Sequence, residues 1–404
     1  MRPTALCRKL TGIDNLYASE CTLQDHAVVF DVRPRWHQPR CPCCGERAPG
    51  YDRQPERTWR GESLGDTRLL LRYAPQRVEC SCCGVHVEQL PWARHDSRFT
   101  ADFEEKVAYL AQITHKTAVT RLLGIAWRSV GRIIESVVGE RLNPDRLKGL
   151  RSIGIDEFSY RKHHRYVTLV VDHDTQRVIW AAEGKSADTL GGFFDRLDEQ
   201  TLKDIQFVTM DMSASYIKAV SERLPQAEIV FDRFHVQSLV SDALDEVRRA
   251  EVRALEGEEA KTVKKTRYPL LKNPSNLTRK DQQKLADIQR NNARLYRAYL
   301  LKEAFAKALD YRQPKRAREA LEEWLTWASR SKLAPFVKVA RTIRKYKEGI
   351  LAYIRDRYTN ARVEGINNKL RVIARRAFGF HSAEALIAML FLNCGGIELY
   401  PRLP

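Results

Sequence analysis

The spacing of apolar and polar residues changes several times along this chain, and each change predicts a different kind of element. Ile153 and Ile155 lie in a short β-branched run that ends on two acids, Asp156 and Glu157. Residues 165–172 and 177–182 read as two further strands with a polar turn between them. Leu190, Phe193, Phe194 and Leu197 fall at helical spacing, which predicts a helix over 187–199. A buried strand at 205–208 leads to Asp211, a helix covers 214–224, and a last strand from 227 ends at Asp232. Three strands, helix, strand, helix, strand is the order of an antiparallel meander extended by parallel strands through crossover helices, as in a ribonuclease H-like fold. Such a sheet sets Asp156 on its central strand, with Asp211 beside it.

The flanking segments carry other periods. Residues 1–40 say little apart from one alternating strand at 26–32, and 68–73 reads as another strand. Residues 98–138 are helical. Within them Val119, Leu122, Leu123, Ile125, Val130 and Ile133 form the core set of a helix-turn-helix that bends at Gly124. Trp127, Arg128, Ser129 and Arg132 open its second helix, where they would face the major groove; an ordinary helical hairpin is the alternative. From 237 to 350 strand patterns vanish and charged helices dominate, with Leu285, Ile288, Leu295, Tyr299, Leu321, Trp324 and Leu325 as buried candidates. A further helix over 357–376 puts Val363, Ile366, Leu370, Ile373 and Ala377 on one stripe. Glu364, Asn367, Asn368, Arg371 and Arg375 fall on the neighbouring face. An acid beside amides and arginines on a core-facing helix suits a metal site next to a phosphate backbone.

These changes predict an α/β multidomain protein. Residues 1–95 form an N-terminal module and 98–140 a helix-turn-helix. The first part of a catalytic domain spans 150–236, a helical insertion 237–350, and the second part with the C-terminal tail 351–404.

Charge and cysteine content sharpen this picture. A formal charge of +18 over 404 residues favours a polyanionic partner, above all nucleic acid. No signal peptide opens the chain, and the longest apolar run, 385–392, is far too short to span a membrane. Most of the nine cysteines sit in CPCCG at 41–45 and CSCCG at 80–84, which argues for metal in a reducing cytoplasm rather than for disulfides. The C-x2-C pairs Cys41 with Cys44 and Cys80 with Cys83 suit one tetrahedral, structural Zn²⁺, with Zn–S about 2.3 Å. Cys43 and Cys82, inside the knuckles, could each replace a neighbour as ligand.

GIDEFSY, VTMDMSASY, IVFDRFHV and ARVEGINNKL, together with the paired knuckles and the helix-turn-helix before them, resemble the insertion-sequence transposases of the ISL-three family. The resemblance runs from about residue 38 to about 396. It implies a DDE triad of Asp156, Asp211 and Glu364 that holds two catalytic Mg²⁺ ions, or Mn²⁺ in their place, with Asp156 bridging them. It also implies a D-x-x-H element of Asp232 and His235. From the residues alone, Asp232 equally reads as the cap of a helix starting near Arg233, with His235 packed beneath it. The expected activity is cleavage at the terminal inverted repeats and strand transfer into target DNA, by a homodimer or higher oligomer at the bacterial nucleoid. A non-catalytic regulator derived from such an enzyme, or a nuclease that cuts without joining, are the alternatives.

Overall fold

The computed structural model describes residues 2–161, 165–356, 361–377 and 379–399; the side chains of Arg161, Asp356 and residues 361–364 fall outside that description. The chain divides into two compact units. One comprises Met1–Asn143 with Arg375–Pro404, the other Pro144–Ala374.

The first unit opens with α1 (Pro3–Thr11), closed by Gly12 in the left-handed region at φ 68°. Next come β1 (Leu16–Gln24), β2 (Ala27–Pro34), β3 (Gly50–Arg53), β4 (Arg57–Arg60), β5 (Arg68–Tyr73), β6 (Gln76–Cys80) and β7 (Gly84–Val87). They form two sheets, ordered β1-β2-β5-β4 and β3-β6-β7. Phe30, Trp59, Leu69, Leu71 and Trp92 fill the core of the larger one. Most of this module left little trace in the sequence, because its strands are short and half solvated.

Three helices follow: α2 (Ala101–Ile113), α3 (Lys116–Leu123) and α4 (Trp127–Arg141). Thr100 caps α2 through the Phe103 N–H, and His115 caps α3 through the Ala118 N–H. Gly124, at φ 57°, terminates α3 and makes the turn before α4. The Arg60 guanidinium of β4 donates to the Leu123 and Gly124 carbonyls at 2.6 and 2.8 Å, where the helix leaves carbonyls unsatisfied. Val119, Val130 and Ile133 are buried as expected, but Leu122 is 69% exposed and does not join that core.

The second unit holds β8 (Ser152–Arg161), β9 (Arg165–Asp172), β10 (Arg177–Glu183), α5 (Ala187–Phe194), α6 (Glu199–Asp204), β11 (Phe207–Met210), α7 (Ala214–Arg223) and β12 (Glu228–Phe231). The sheet order is β10-β9-β8-β11-β12, so the first strand of the unit is central. β8, β9 and β10 pair antiparallel, while β11 runs parallel to both β8 and β12. The helix predicted over 187–199 ends early, at Phe194, and a separate helix follows, where the Asp198 carboxylate accepts from the Thr201 N–H at 2.6 Å and caps α6. Leu197 stays buried in the break.

Helices then take over: α8 (Arg233–Ala254), α9 (Gly257–Lys264), α10 (Arg267–Leu271), α11 (Arg279–Asn291), α12 (Ala293–Asp310), α13 (Pro314–Arg330), α14 (Ala334–Lys345) and α15 (Lys347–Asp356). All seven apolar candidates named above for 237–350 are buried and belong to one cluster with the sheet. Last come α16 (Ala361–Arg376) and α17 (Ala383–Cys394). Ile366, Leu370 and Ile373 of α16 are buried. Ala377 is exposed, and the Val363 side chain lies outside the described residues. α17, apolar apart from Glu384, Asn393 and Cys394, packs on α4 and α2 of the same unit, because so apolar a helix needs cover on several sides.

Candidate active site and cysteine cluster

The parallel register of β8 and β11 pairs Gly154 with Thr209. Two residues further along each strand lie Asp156 and Asp211, at the same level and at the carboxyl end of β11. β11 and β12 pair Met210 with Phe231, so Asp232 ends its strand at that level too. The carboxyl ends of parallel strands are where such sheets present functional groups.

Asp156 is half-buried on the central strand. Its Oδ1 accepts from the Glu157 N–H at 2.7 Å, and its Oδ2 from Nδ2 of Asn367 on α16 at 2.6 Å. Burial pushes its carboxyl up to about 6, against the pull of those hydrogen bonds and of nearby His235. Glu157 is likewise raised by burial, with Lys185 opposing. Asp211 takes the Ser213 N–H at 3.0 Å, so its side chain is held where the chain turns into α7. Beneath these acids lies the buried Tyr216. Thr168 Oγ1 donates to the Gly184 carbonyl at 2.7 Å, so it can only accept from the Tyr216 hydroxyl, 2.8 Å away. The phenol is thus occupied and gives no proton to the carboxylates.

Asp232 is the N-cap of α8, accepting from the Phe234 N–H at 3.2 Å. Its partner His235 is not packed beneath the cap. The imidazole is half-exposed, with Nε2 3.8 Å from Asp232 Oδ2, and it lies near Asp156 and Glu157. Capping and a place beside the acids therefore coexist. Phe234 is 64% exposed and stands edge-on to the His235 ring. Glu364 belongs to α16, but its side chain lies outside the described residues. Arg371 and Arg375, further along the helix, are exposed. Sequence reading missed Asn367 as a site member. It stood on the Glu364 face of the predicted helix, yet nothing in the pattern told it from Asn368, which is exposed.

In the first unit the sulfurs of Cys41, Cys44, Cys80 and Cys83 all lie within 4.8 Å of one another and could hold a metal ion. Gly45 and Gly84, at φ 74° and 82°, close the two knuckles as only glycine does readily. The Cys82 and Cys83 N–H groups, with the Cys82 side chain, draw the Cys80 thiol down to about 6. Cys82 lies close to this group, its sulfur 3.3, 3.7 and 3.8 Å from those of Cys80, Cys83 and Cys44. At the start of α4, Trp127 is 47% exposed and lies under the Lys116 ammonium at 4.5 Å; Arg128 and Arg132 are exposed and Ser129 partly so.

Three family models match in chain order. Residues 37–83 match the zinc-finger of transposases IS204/IS1001/IS1096/IS1165, residues 88–138 the helix-turn-helix domain of transposase family ISL3, and residues 153–390 a transposase domain. The transposase for insertion sequence element IS1557 of Mycobacterium tuberculosis is 38% identical across 100% of this chain and 98% of its own. The transposase for IS1001 of Bordetella parapertussis is 30% identical across 85% of this chain and 86% of its own.

Proposed function

The chain belongs to the ISL3 family of DDE transposases, and from that premise we propose that it cuts the terminal inverted repeats of an insertion sequence and joins them to target DNA at the acids around Asp156. The observation that carries this reading is the hydrogen bond from Asn367 to Asp156, between residues 211 positions apart. Glu364 precedes Asn367 by one helical turn, so the face that reaches Asp156 is the face on which Glu364 sits. With Asp211 level with Asp156 on the neighbouring strand, Glu364 on that helix would be the third acid of the set. The sheet order, three antiparallel strands followed by two parallel ones, supports a ribonuclease H-like fold for this unit.

The donors fit hard divalent cations. They are all oxygens, and the two bound N–H groups leave each Asp156 oxygen with a lone pair to spare. Asp156, Asp211 and Glu364 would hold two Mg²⁺, whose Lewis acidity serves both the attacking and the leaving oxygen of an in-line displacement. The protein's own part is placement. Asp156 is fixed by two N–H donors, Asp211 by the α7 turn, and His235 stands where it can meet a phosphate. Hydrolysis frees a 3′-hydroxyl at the element's end, and that hydroxyl attacks the target strand.

In the same reading Cys41, Cys44, Cys80 and Cys83 bind one structural Zn²⁺. Trp127, Arg128, Ser129 and Arg132 read the terminal repeats in the major groove, and Arg371 with Arg375 grips the DNA backbone. Two ends are handled by a dimer or larger assembly in the bacterial cytoplasm at the nucleoid. No described helix is long and apolar enough to cross a membrane.

A labelled terminal-repeat duplex with Mg²⁺ tests the proposal. Asp156→Asn, Asp211→Asn and Glu364→Gln should each lower cleavage and joining by a factor of about 10³ or more, on the scale of electrostatic groups at reacting centres, while end binding stays within severalfold of the parent. Full activity in any of the three would remove that residue from the triad.

A further inference from the structure

Asn367 is 8% exposed, and its two polar atoms have different fates. Nδ2 donates to Asp156 Oδ2 at 2.6 Å. Oδ1 is buried, and among the described residues no donor reaches it. The amide orientation follows from chemistry: a carboxylate only accepts, so the end that faces Asp156 must be the NH2 group. The carbonyl oxygen is therefore left as a hard, neutral acceptor beside the Asp156 carboxylate. Natural proteins seldom leave such an atom unsatisfied, and where they do a functional partner is a standard explanation.

The chemistry of that oxygen narrows the partner. It is buried, hard and without a hydrogen-bond donor among the described residues. Divalent cations such as Mg²⁺ take oxygen ligands of this kind, at about 2.0–2.1 Å. A neutral ligand also suits the electrostatics. Asp156 and Asp211 lie level on neighbouring strands, and an amide oxygen adds coordination there without adding a further negative charge.

Building on the metal-binding reading above, we infer that Asn367 is a further ligand of the divalent ion that Asp156 binds: its amide oxygen coordinates the ion while its amide N–H holds the Asp156 carboxylate in place. One side chain thus both supplies a donor atom and aims a neighbouring one, and it ties α16 to the central strand whenever the ion is present.

The test is a Mn²⁺ titration of the zinc-loaded, full-length chain without DNA, read by the electron paramagnetic resonance signal of free Mn²⁺. Asn367→Leu keeps the approximate shape and removes both polar atoms. It should weaken Mn²⁺ binding tenfold or more, the range reported when partners of metal ligands are removed. Asn367→Asp keeps an oxygen ligand and loses the N–H, so its Mn²⁺ affinity should stay within about threefold of the parent or rise. The half-saturating Mn²⁺ concentration for cleavage should shift in parallel. Affinity of Asn367→Leu within twofold of the parent overturns the inference. So does an equal loss in Asn367→Leu and Asn367→Asp, because the amide would then act only as a clamp. Asn367→Ala, smaller and likewise without a ligand atom, takes the place of Asn367→Leu if thermal melts show the latter unfolded, with the same criterion. Asp156→Asn and Asp211→Asn are run alongside; unchanged Mn²⁺ affinity in both would refute the site itself, whatever the Asn367 variants do.

Discussion

At the residue scale the central fact is that Asp156 is kept where its charge is costly. Burial holds its carboxyl near 6 in the folded chain, against about 3.9 in an unfolded one. Between those values the folded state binds more protons than the unfolded state, so in the absence of divalent ions this group lowers stability as pH rises from about 4 to about 6. Asp156→Asn removes that dependence. In its place an amide can pair with Asn367, whose oxygen then gains a donor. In magnesium-free buffer the variant should therefore melt higher than the parent at pH 7.5, by an amount equivalent to roughly 1–3 kcal/mol, with the gap closing near pH 4. A constant gap across that range would mean that the charge on Asp156 is not the cause. Stability lost for the sake of a site is a common exchange in enzymes.

Among the elements, the two cysteine knuckles and the turn at Gly124 show how local chemistry supports distant function. Among the described residues the buried apolar cluster here is small: Ala48 and Val78 with Cys41, Cys80 and Cys83. A sheet of three short strands on so small a core would gain its stability from a bound metal. Cys80→Ser should abolish stoichiometric zinc and leave residues 40–90 open to proteolysis. Cys43→Ser and Cys82→Ser should keep one zinc per chain, measured by atomic absorption. Retention by Cys80→Ser together with loss in Cys82→Ser would transfer the ligand role to Cys82, whose sulfur already lies within 3.8 Å of three of the four. The helix-turn-helix is fastened differently, by Arg60 reaching across from β4 to the carbonyls that end α3.

On the scale of the whole molecule, a charge of +18 and two separate sets of exposed basic residues predict two kinds of DNA contact. Arg371→Ala and Arg375→Ala should weaken binding to terminal and unrelated duplexes alike, each reducing the slope of log K against log salt by about one. Trp127→Ala and Arg128→Ala should mainly lose the preference for terminal repeats, by about 1–3 kcal/mol if they touch base edges. Binding isotherms at several salt concentrations separate the two. Point substitutions are the right tool, because a cut after residue 140 would strip α17 of α2 and α4, the helices it packs on.

Strands β8 to β12, the helix-turn-helix and the apolar sets of the later helices were legible along the chain, because strand and helix periods and end signals are local properties. So were Asp211 and Asp232, just past β11 and β12, although β8 runs on beyond Asp156 to Arg161; and so were the knuckles, where a glycine must follow the last cysteine. Apart from the strand at 26–32, residues 1–40 stayed silent because α1 buries only Cys7 and β1 only Leu16 and Ala18, too few to impose a period. Three matters needed the fold. Leu122 has a core residue's character but faces solvent, α17 seeks cover from helices far back in the sequence, and Asn367 rather than Asn368 meets Asp156. Each depends on which surface another segment presents, and a one-dimensional pattern carries the face of an element without carrying the partner that will cover it.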